Sequence, residues 1–193
     1  MTYEFELMKV VRRGRVVTVT IDNPPVNVIT MALLAELDAL STALKADADL
    51  TVVVIRSADP DFFLAHFDVS AILDRPIGFE PQRDAQLKPF HALCERFRTM
   101  NKVIIAQIEG RVGGGGSELS AAFDMRFGVR GKTRINQMEV PLGIMPGGTG
   151  TQRLPRIVGV EAAATMTSTG DPVPAPKAKE MGLVDELAGE DSL

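Results

Sequence analysis

The sequence predicts an α/β fold. Three observations point to it. A short β-branched run without alternation at 52–55, and a second run at 103–108, have the look of buried strands. Leucines fall at helical spacing through 33–44. Strand and helix signals then alternate along the whole chain, with glycine-rich junctions at 113–116 and 143–150.

Taken in order, residues 4–22 predict a hairpin. Val17, Val19 and Ile21 alternate with Thr18 and Thr20, and Arg13-Gly14 supplies the turn. Asn23-Pro24-Pro25 stops the second strand. Leu33, Leu37, Leu40 and Leu44 share one face, which predicts a helix from an N-cap at Thr30 to residue 46. The run 52–55 predicts a strand buried on both faces, followed by a segment 62–68 and a surface loop around 75–81. A helix is expected over 84–100 and a second buried strand over 103–108. That strand runs into Gly110 and four glycines, with a helix from about Ser117. Residues 124–129 predict a third strand, 161–168 and 176–181 two helices, and 183–187 a last strand. No composition shift marks a domain boundary.

Composition excludes several classes of function. Apolar residues make up 45% and charged residues 24% of 193, so the chain can bury a sizeable core. A net charge of −4, with no block of like charge, argues against a broad nucleic-acid surface. No apolar run is long enough to span a bilayer. The acidic Glu4 and Glu6 argue against a signal peptide. A single cysteine, Cys94, precludes an internal disulfide and reads as an inert helix thiol. A reducing cytoplasm or matrix is the expected location. No cluster of metal ligands is present in the sequence.

The segment Gly113-Gly114-Gly115-Gly116-Ser117-Glu118-Leu119 carries most of the functional information. Glycines let the backbone turn tightly and approach a ligand without a Cβ in between. A helix starting straight afterwards presents unpaired N–H groups that suit an anion or a developing oxyanion. The bland reading is a tight turn with no function. A phosphate-binding P-loop is excluded because no Gly-Lys-Ser/Thr closes the segment. A dinucleotide-binding turn is excluded because Ser117 and Glu118 break its spacing. Glu139 is a second carboxylate of interest, set among mostly apolar neighbours. Two carboxylates in a partly dry pocket can divide acid and base roles, though each taken alone reads as a solvated surface residue.

These residues resemble the crotonase, or enoyl-CoA hydratase/isomerase, superfamily. Residues 62–68 (FFLAHFD) resemble its first oxyanion segment F-x-A-G-x-D. Residues 113–119 resemble G-G-G-x-E-L, 139–147 resemble E-x-x-L-G-x-x-P-G, and 149–154 resemble G-G-T-Q-R-L. Residues 178–185 are similar to A-x-x-x-G-L-V-D. The order is correct and covers nearly the whole chain.

The resemblance implies a crotonase-like spiral of ββα units with two roughly perpendicular sheets. It implies one core domain, 1–193, that stops short of the C-terminal helical region usual in the family. It also implies an oxyanion hole from the backbone N–H groups of Phe67 and Gly115. Glu118 and Glu139 match both catalytic positions of members that hydrate trans-2-enoyl-CoA. Ala65, His66, Gly114, Pro146 and Gly147 are the expected substrate contacts. No cofactor is implied, since coenzyme A belongs to the acyl-CoA substrate. A homo-oligomer, trimer or hexamer, is the expected assembly if the C-terminal region is present. The alternatives are an enoyl-CoA Δ-isomerase, a non-catalytic acyl-CoA-binding subunit, and a part of a multifunctional β-oxidation protein.

Four residues carry further expectations. His66 replaces the family's usual glycine and reads as a pocket-rim or packed residue rather than a base. His91 reads as structural. Asp68 is expected to fix a local turn. Arg153 has two readings, a structural contact or a CoA-phosphate contact. The glutamate spacing is one residue longer than the usual pattern, and the extra residue is assigned to the loop 130–134.

Overall fold

A computed structural model describes residues 3–73 and 87–189 of the chain. The chain opens with β1 (Met8–Arg13) and β2 (Val16–Ile21), an antiparallel hairpin in which Arg13 pairs with Val16. Gly14 sits in its turn at φ 62°, a conformation open to glycine at no steric cost. Helix α1 (Met31–Ala46) starts where predicted. The Thr30 hydroxyl accepts the Leu33 N–H and so satisfies one free amide of the first turn. Its leucine stripe is fully buried.

β3 (Val52–Ser57) is a central strand, but only one of its faces is closed. Val53 and Ile55 are buried, whereas Val52 and Val54 are half-buried. The β-branched run therefore signals a strand between two neighbours, and its expected burial on both faces does not hold. β4 (Phe62–Leu64) and the single turn α2 (Ser70–Leu73) follow. The expected loop 75–81 lies outside the described residues. Helix α3 (Pro89–Arg98) is shorter than the predicted 84–100, of which 84–86 also lie outside the described residues. Its start is set by Pro89 at the first helical position, where fixed φ and a missing N–H do no harm.

β5 (Val103–Ile108) has the predicted bounds, and β6 (Arg111–Gly113) follows it directly. Helix α4 (Gly114–Ser120) begins three residues before the expected Ser117. The glycines are its first turn rather than a connector. Strand pairing holds the chain to Gly113, so it must turn at once, and Gly114 does so at φ 46°. β7 (Met125–Val129), β8 (Arg134–Asn136) and a 3₁₀ turn (Val140–Leu142) come next.

Helix α5 (Gly150–Val158) was not expected from the sequence, because a glycine at its start and Pro155 inside it obscure the helical pattern. α6 (Val160–Thr169), β9 (Val173–Pro174), α7 (Ala175–Glu180) and β10 (Glu186–Ala188) complete the chain. The last strand lies at Glu186–Ala188 rather than at the expected 183–187. The N–H groups of Leu183 and Val184 instead both bond to Ala178 O, closing α7, and their side chains enter the core.

The strands form two mixed sheets. One has six strands in the order β1-β2-β3-β5-β7-β10, parallel beyond the first hairpin. The other has four, β4-β6-β8-β9, with β4, β6 and β8 parallel. One apolar core joins α1, α3 and the first sheet to α4, α6 and α7.

Arg126 ties the end of α4 to the closing segment. Its buried guanidinium donates to the carbonyls of Ser120 (3.3 Å), Phe123 (2.9 Å) and Leu183 (3.0 Å). It also lies 3.5 Å from Asp185 Oδ2. Arg126→Met keeps much of the bulk and strands two acceptors, the carbonyls of Phe123 and Leu183, whereas Ser120 O keeps the Phe123 N–H. It is expected to lower stability by about 2–4 kcal/mol, read as a lower urea midpoint at unchanged slope.

Candidate active site

β4 and β6 are adjacent and parallel, so the chain leaves both at the same end of the sheet. The two exits, 65–68 and 114–116, lie against each other. A methyl built on Gly115 would stand 2.8 Å from Phe67 Cβ and 3.2 Å from the Phe67 nitrogen. One built on Gly116 would stand 2.4 Å from Leu64 O. Only glycine permits this approach of backbones.

The exit after β4 is held by an isolated parallel bridge between Ile29 and Phe67. Ile29 N–H donates to His66 O (2.8 Å), and Asp68 N–H donates to Ile29 O (3.1 Å). Successive peptide groups of an extended chain point to opposite sides, so the Phe67 N–H is turned away from Ile29. Gly115 lies in the first turn of α4, where N–H groups have no partner within the helix. Among the described residues, neither the Phe67 nor the Gly115 amide donates a hydrogen bond to the protein.

Beside these amides lies a cavity of about 400 Å³. Phe67, Gly115, Glu118 and Glu139 all line it. Glu118 is one turn beyond Gly115 on α4, on the same face. Glu139 precedes the 3₁₀ turn. The two carboxylates are 3% and 6% exposed. Glu118 Oε1 accepts the amides of Gly148 (2.9 Å) and Gly150 (2.7 Å). Gln137 Nε2 donates to both oxygens of Glu139 (2.9 and 3.0 Å).

Burial pushes the Glu118 carboxyl up to about 7, opposed by its two amide donors and assisted by the nearby charge of Glu139. Burial likewise raises Glu139, partly offset by Gln137. Two carboxylates in a partly dry pocket, both with their charged forms disfavoured, can divide proton-transfer roles.

The rest of the cavity wall is mainly apolar. Met31 and Leu34 come from α1, Phe90 from α3, and Ile144 and Met145 from the segment before α5. Lys88 and His91 add two basic side chains at the start of α3. His91, read as structural from its amphipathic helix, thus faces the cavity. Helical spacing marks which face a residue occupies and does not tell a core from a pocket. Of the expected substrate contacts, Gly147 lines the cavity. Ala65, His66, Gly114 and Pro146 do not form its wall. The half-buried His66 ring sits with Nδ1 2.8 Å from Phe67 O, so that nitrogen carries the proton. This is the packed position expected for it.

Asp68 fixes a turn as expected, with Oδ1 accepting both the N–H (2.9 Å) and the hydroxyl (2.7 Å) of Ser70. Arg153 makes the structural one of its two anticipated contacts. Its Nη2 lies 2.5 Å from Glu95 Oε1, and its Nε donates to Thr149 Oγ1 (3.0 Å). Thr149 is held at φ 111°, in a region L side chains seldom adopt, at a penalty of about 1–3 kcal/mol. Cys94 is fully buried and its thiol is pushed up to about 12, chiefly by desolvation, so it is inert as expected. Among the described residues, no group of three or more metal-ligating side chains occurs. No described helix is long and apolar enough to cross a membrane.

Residues 12–193 match the enoyl-CoA hydratase/isomerase family. The "Fatty acid oxidation complex subunit alpha" of Shewanella loihica is 35% identical over 179 residues, 92% of this chain and 25% of the relative. The chain thus spans about a quarter of the length of that relative. A Bacillus subtilis protein named "Probable enoyl-CoA hydratase" is 33% identical over 171 residues, 88% of this chain and 64% of the relative. The crystal structure of enoyl-CoA hydratase from Bacillus anthracis superposes with a TM-score of 0.84 at 29% identity, covering 96% of this chain and 71% of that one.

Proposed function

This chain belongs to the enoyl-CoA hydratase/isomerase family, and within it we propose that the protein is a hydratase, adding water across the double bond of a trans-2-enoyl-CoA. One observation carries the reading. Two buried carboxylates and two unpartnered main-chain amides face a single cavity. The thioester oxygen sits between the N–H groups of Phe67 and Gly115. Attack of water at Cβ moves the double-bond electrons toward that oxygen, and the two donors bind the growing charge more strongly than the neutral carbonyl. Glu118 takes a proton from the attacking water, and Glu139 delivers one to Cα. Water adds as a whole, and no redox partner or further cofactor is needed. The apolar wall from Met31, Leu34, Ile144 and Met145 accommodates the acyl chain.

The experiment is hydration of a panel of enoyl-CoAs, followed by loss of the conjugated thioester absorbance with product identification. Glu139→Gln keeps the shape and, through its one remaining oxygen, one of the two Gln137 contacts, but has no acidic proton to give. It is expected to slow hydration by roughly 10²–10⁴-fold. The runner-up is Δ-isomerisation, in which one carboxylate shuttles a proton. A harmless Glu139→Gln beside an inactive Glu118→Gln would favour the isomerase. Near-wild-type turnover by both variants excludes the mechanism.

A further inference from the structure

We propose that Arg153 and Glu95 act as positioning residues for Glu118, by locking Thr149 in the left-handed turn whose two flanking amides grip that carboxylate. The proposal rests on the catalytic reading of Glu118 above and concerns how its orientation is fixed.

The geometry forms a continuous chain. Glu118 Oε1 receives the amides of Gly148 (2.9 Å) and Gly150 (2.7 Å). Both can converge on one oxygen only because the residue between them, Thr149, stands at φ 111° and ψ −1°. A β-branched residue does not hold that conformation unaided. The guanidinium of Arg153 supplies the hold. It reaches back one turn along α5, and its Nε donates to Thr149 Oγ1 (3.0 Å). The same guanidinium is fixed from the other side by Glu95 of α3, at 2.5 Å. The Arg153 side chain is only 11% exposed. Thr149 O also accepts the amides of Gln152 and Arg153, both at 2.9 Å, which joins the turn to the start of α5.

The space around the carboxylate leaves little room for relaxation. A methyl on Gly148 would meet Glu118 Oε2 at 2.2 Å, and one on Gly150 would meet Oε1 at 2.9 Å. Were the turn to open, Glu118 would lose two donors that favour its charged form, and its ionisation would move up from about 7. The titratable and charged groups around it come from three places. Glu139 precedes the 3₁₀ turn, Lys88, His91, Cys94 and Glu95 come from α3 and its start, and Arg153 comes from α5. Loss of the Arg153 charge acts directly on Glu95 and Cys94, whereas Arg153 is not among the groups that shift Glu118 directly.

The test is a pair of readouts on Arg153→Met, Thr149→Gly and the double variant. One is the pH–rate profile of crotonyl-CoA hydration. The other is a ¹³C NMR titration of the Glu118 carboxyl, which needs no turnover. Arg153→Met is expected to move both the acidic limb of the profile and the carboxyl titration upward. It should also lower kcat about 10- to 100-fold through misplacement of the base. Thr149→Gly is expected to have a smaller effect, because glycine adopts the turn unaided. Adding Arg153→Met to it should then have much less effect than in wild type. A merely structural Arg153 would give additive losses and an unmoved titration. Should Arg153→Met not fold, Arg153→Lys carries the same test, since it keeps the charge beside Glu95 and loses the second contact. A protein that hydrates crotonyl-CoA while Arg153→Met leaves the titration and kcat unchanged overturns the relay. A protein that hydrates no enoyl-CoA, yet whose titration shifts in Arg153→Met, overturns the hydratase reading and leaves the relay standing.

Discussion

Glu118→Gln is expected to lower hydration of crotonyl-CoA by roughly 10²–10⁴-fold, as the loss of a positioned general base does elsewhere. The amide fills the same volume and can still face Gly148 and Gly150, so the variant should fold. In the wild type, activity should rise as pH increases through about 7, where Glu118 becomes ionised and able to take a proton. The same group makes a stability prediction of opposite sense. Its folded value, about 7, lies above the ordinary 4.5. The folded chain therefore binds more protons between those values. The stability contribution of this carboxyl is fully present below pH 4.5 and is lost as pH rises through about 7. Glutamine carries no such loss. Relative to wild type, Glu118→Gln should be more stable at about pH 8 than at about pH 4, read from urea midpoints at both. An active Glu118→Gln, or a stability difference independent of pH, would contradict the assignment.

Gly115→Ala should reduce kcat by about 10²–10³-fold, the usual effect of losing one oxyanion donor. The added methyl would lie 2.8 Å from Phe67 Cβ, an atom fixed to the backbone rather than at the end of a flexible chain. The segment 65–68 must move, and the Phe67 amide moves with it. Binding of a saturated acyl-CoA should weaken far less than turnover, since the donors matter most when charge has formed. Some loss of stability, about 1–3 kcal/mol, accompanies the crowding. Turnover within twofold of wild type would remove Gly115 from the reaction.

Much of this was legible in the sequence, for identifiable reasons. The leucine stripe of α1, the Thr30 cap and the strand at 103–108 rest on local periodicity and chemistry, which tertiary contacts here reinforce. Glu118 and Glu139 were found through ordered motifs, and both face one cavity. What was missed depends on partners distant in sequence. The short strands β6, β8 and β9 exist only because they pair with one another and β4, and runs of two or three residues have no pattern of their own. The helix α5 hides behind Gly150 and Pro155. His91 gave no signal, because its place on the cavity wall is set by the packing of α3 against α1.

The pairing of β4 with β6 has one more consequence. Neighbouring strands are separated by about 4.8 Å, a repeat imposed by their hydrogen bonds. The donors at Phe67 and Gly115 leave such neighbours after three and two residues respectively. The width of the anion grip is thus gauged by the ladder itself, and no side chain sets it. Substitutions among Met31, Ile144, Met145 and His91 can then retune which thioester is accepted while the jaws keep their opening.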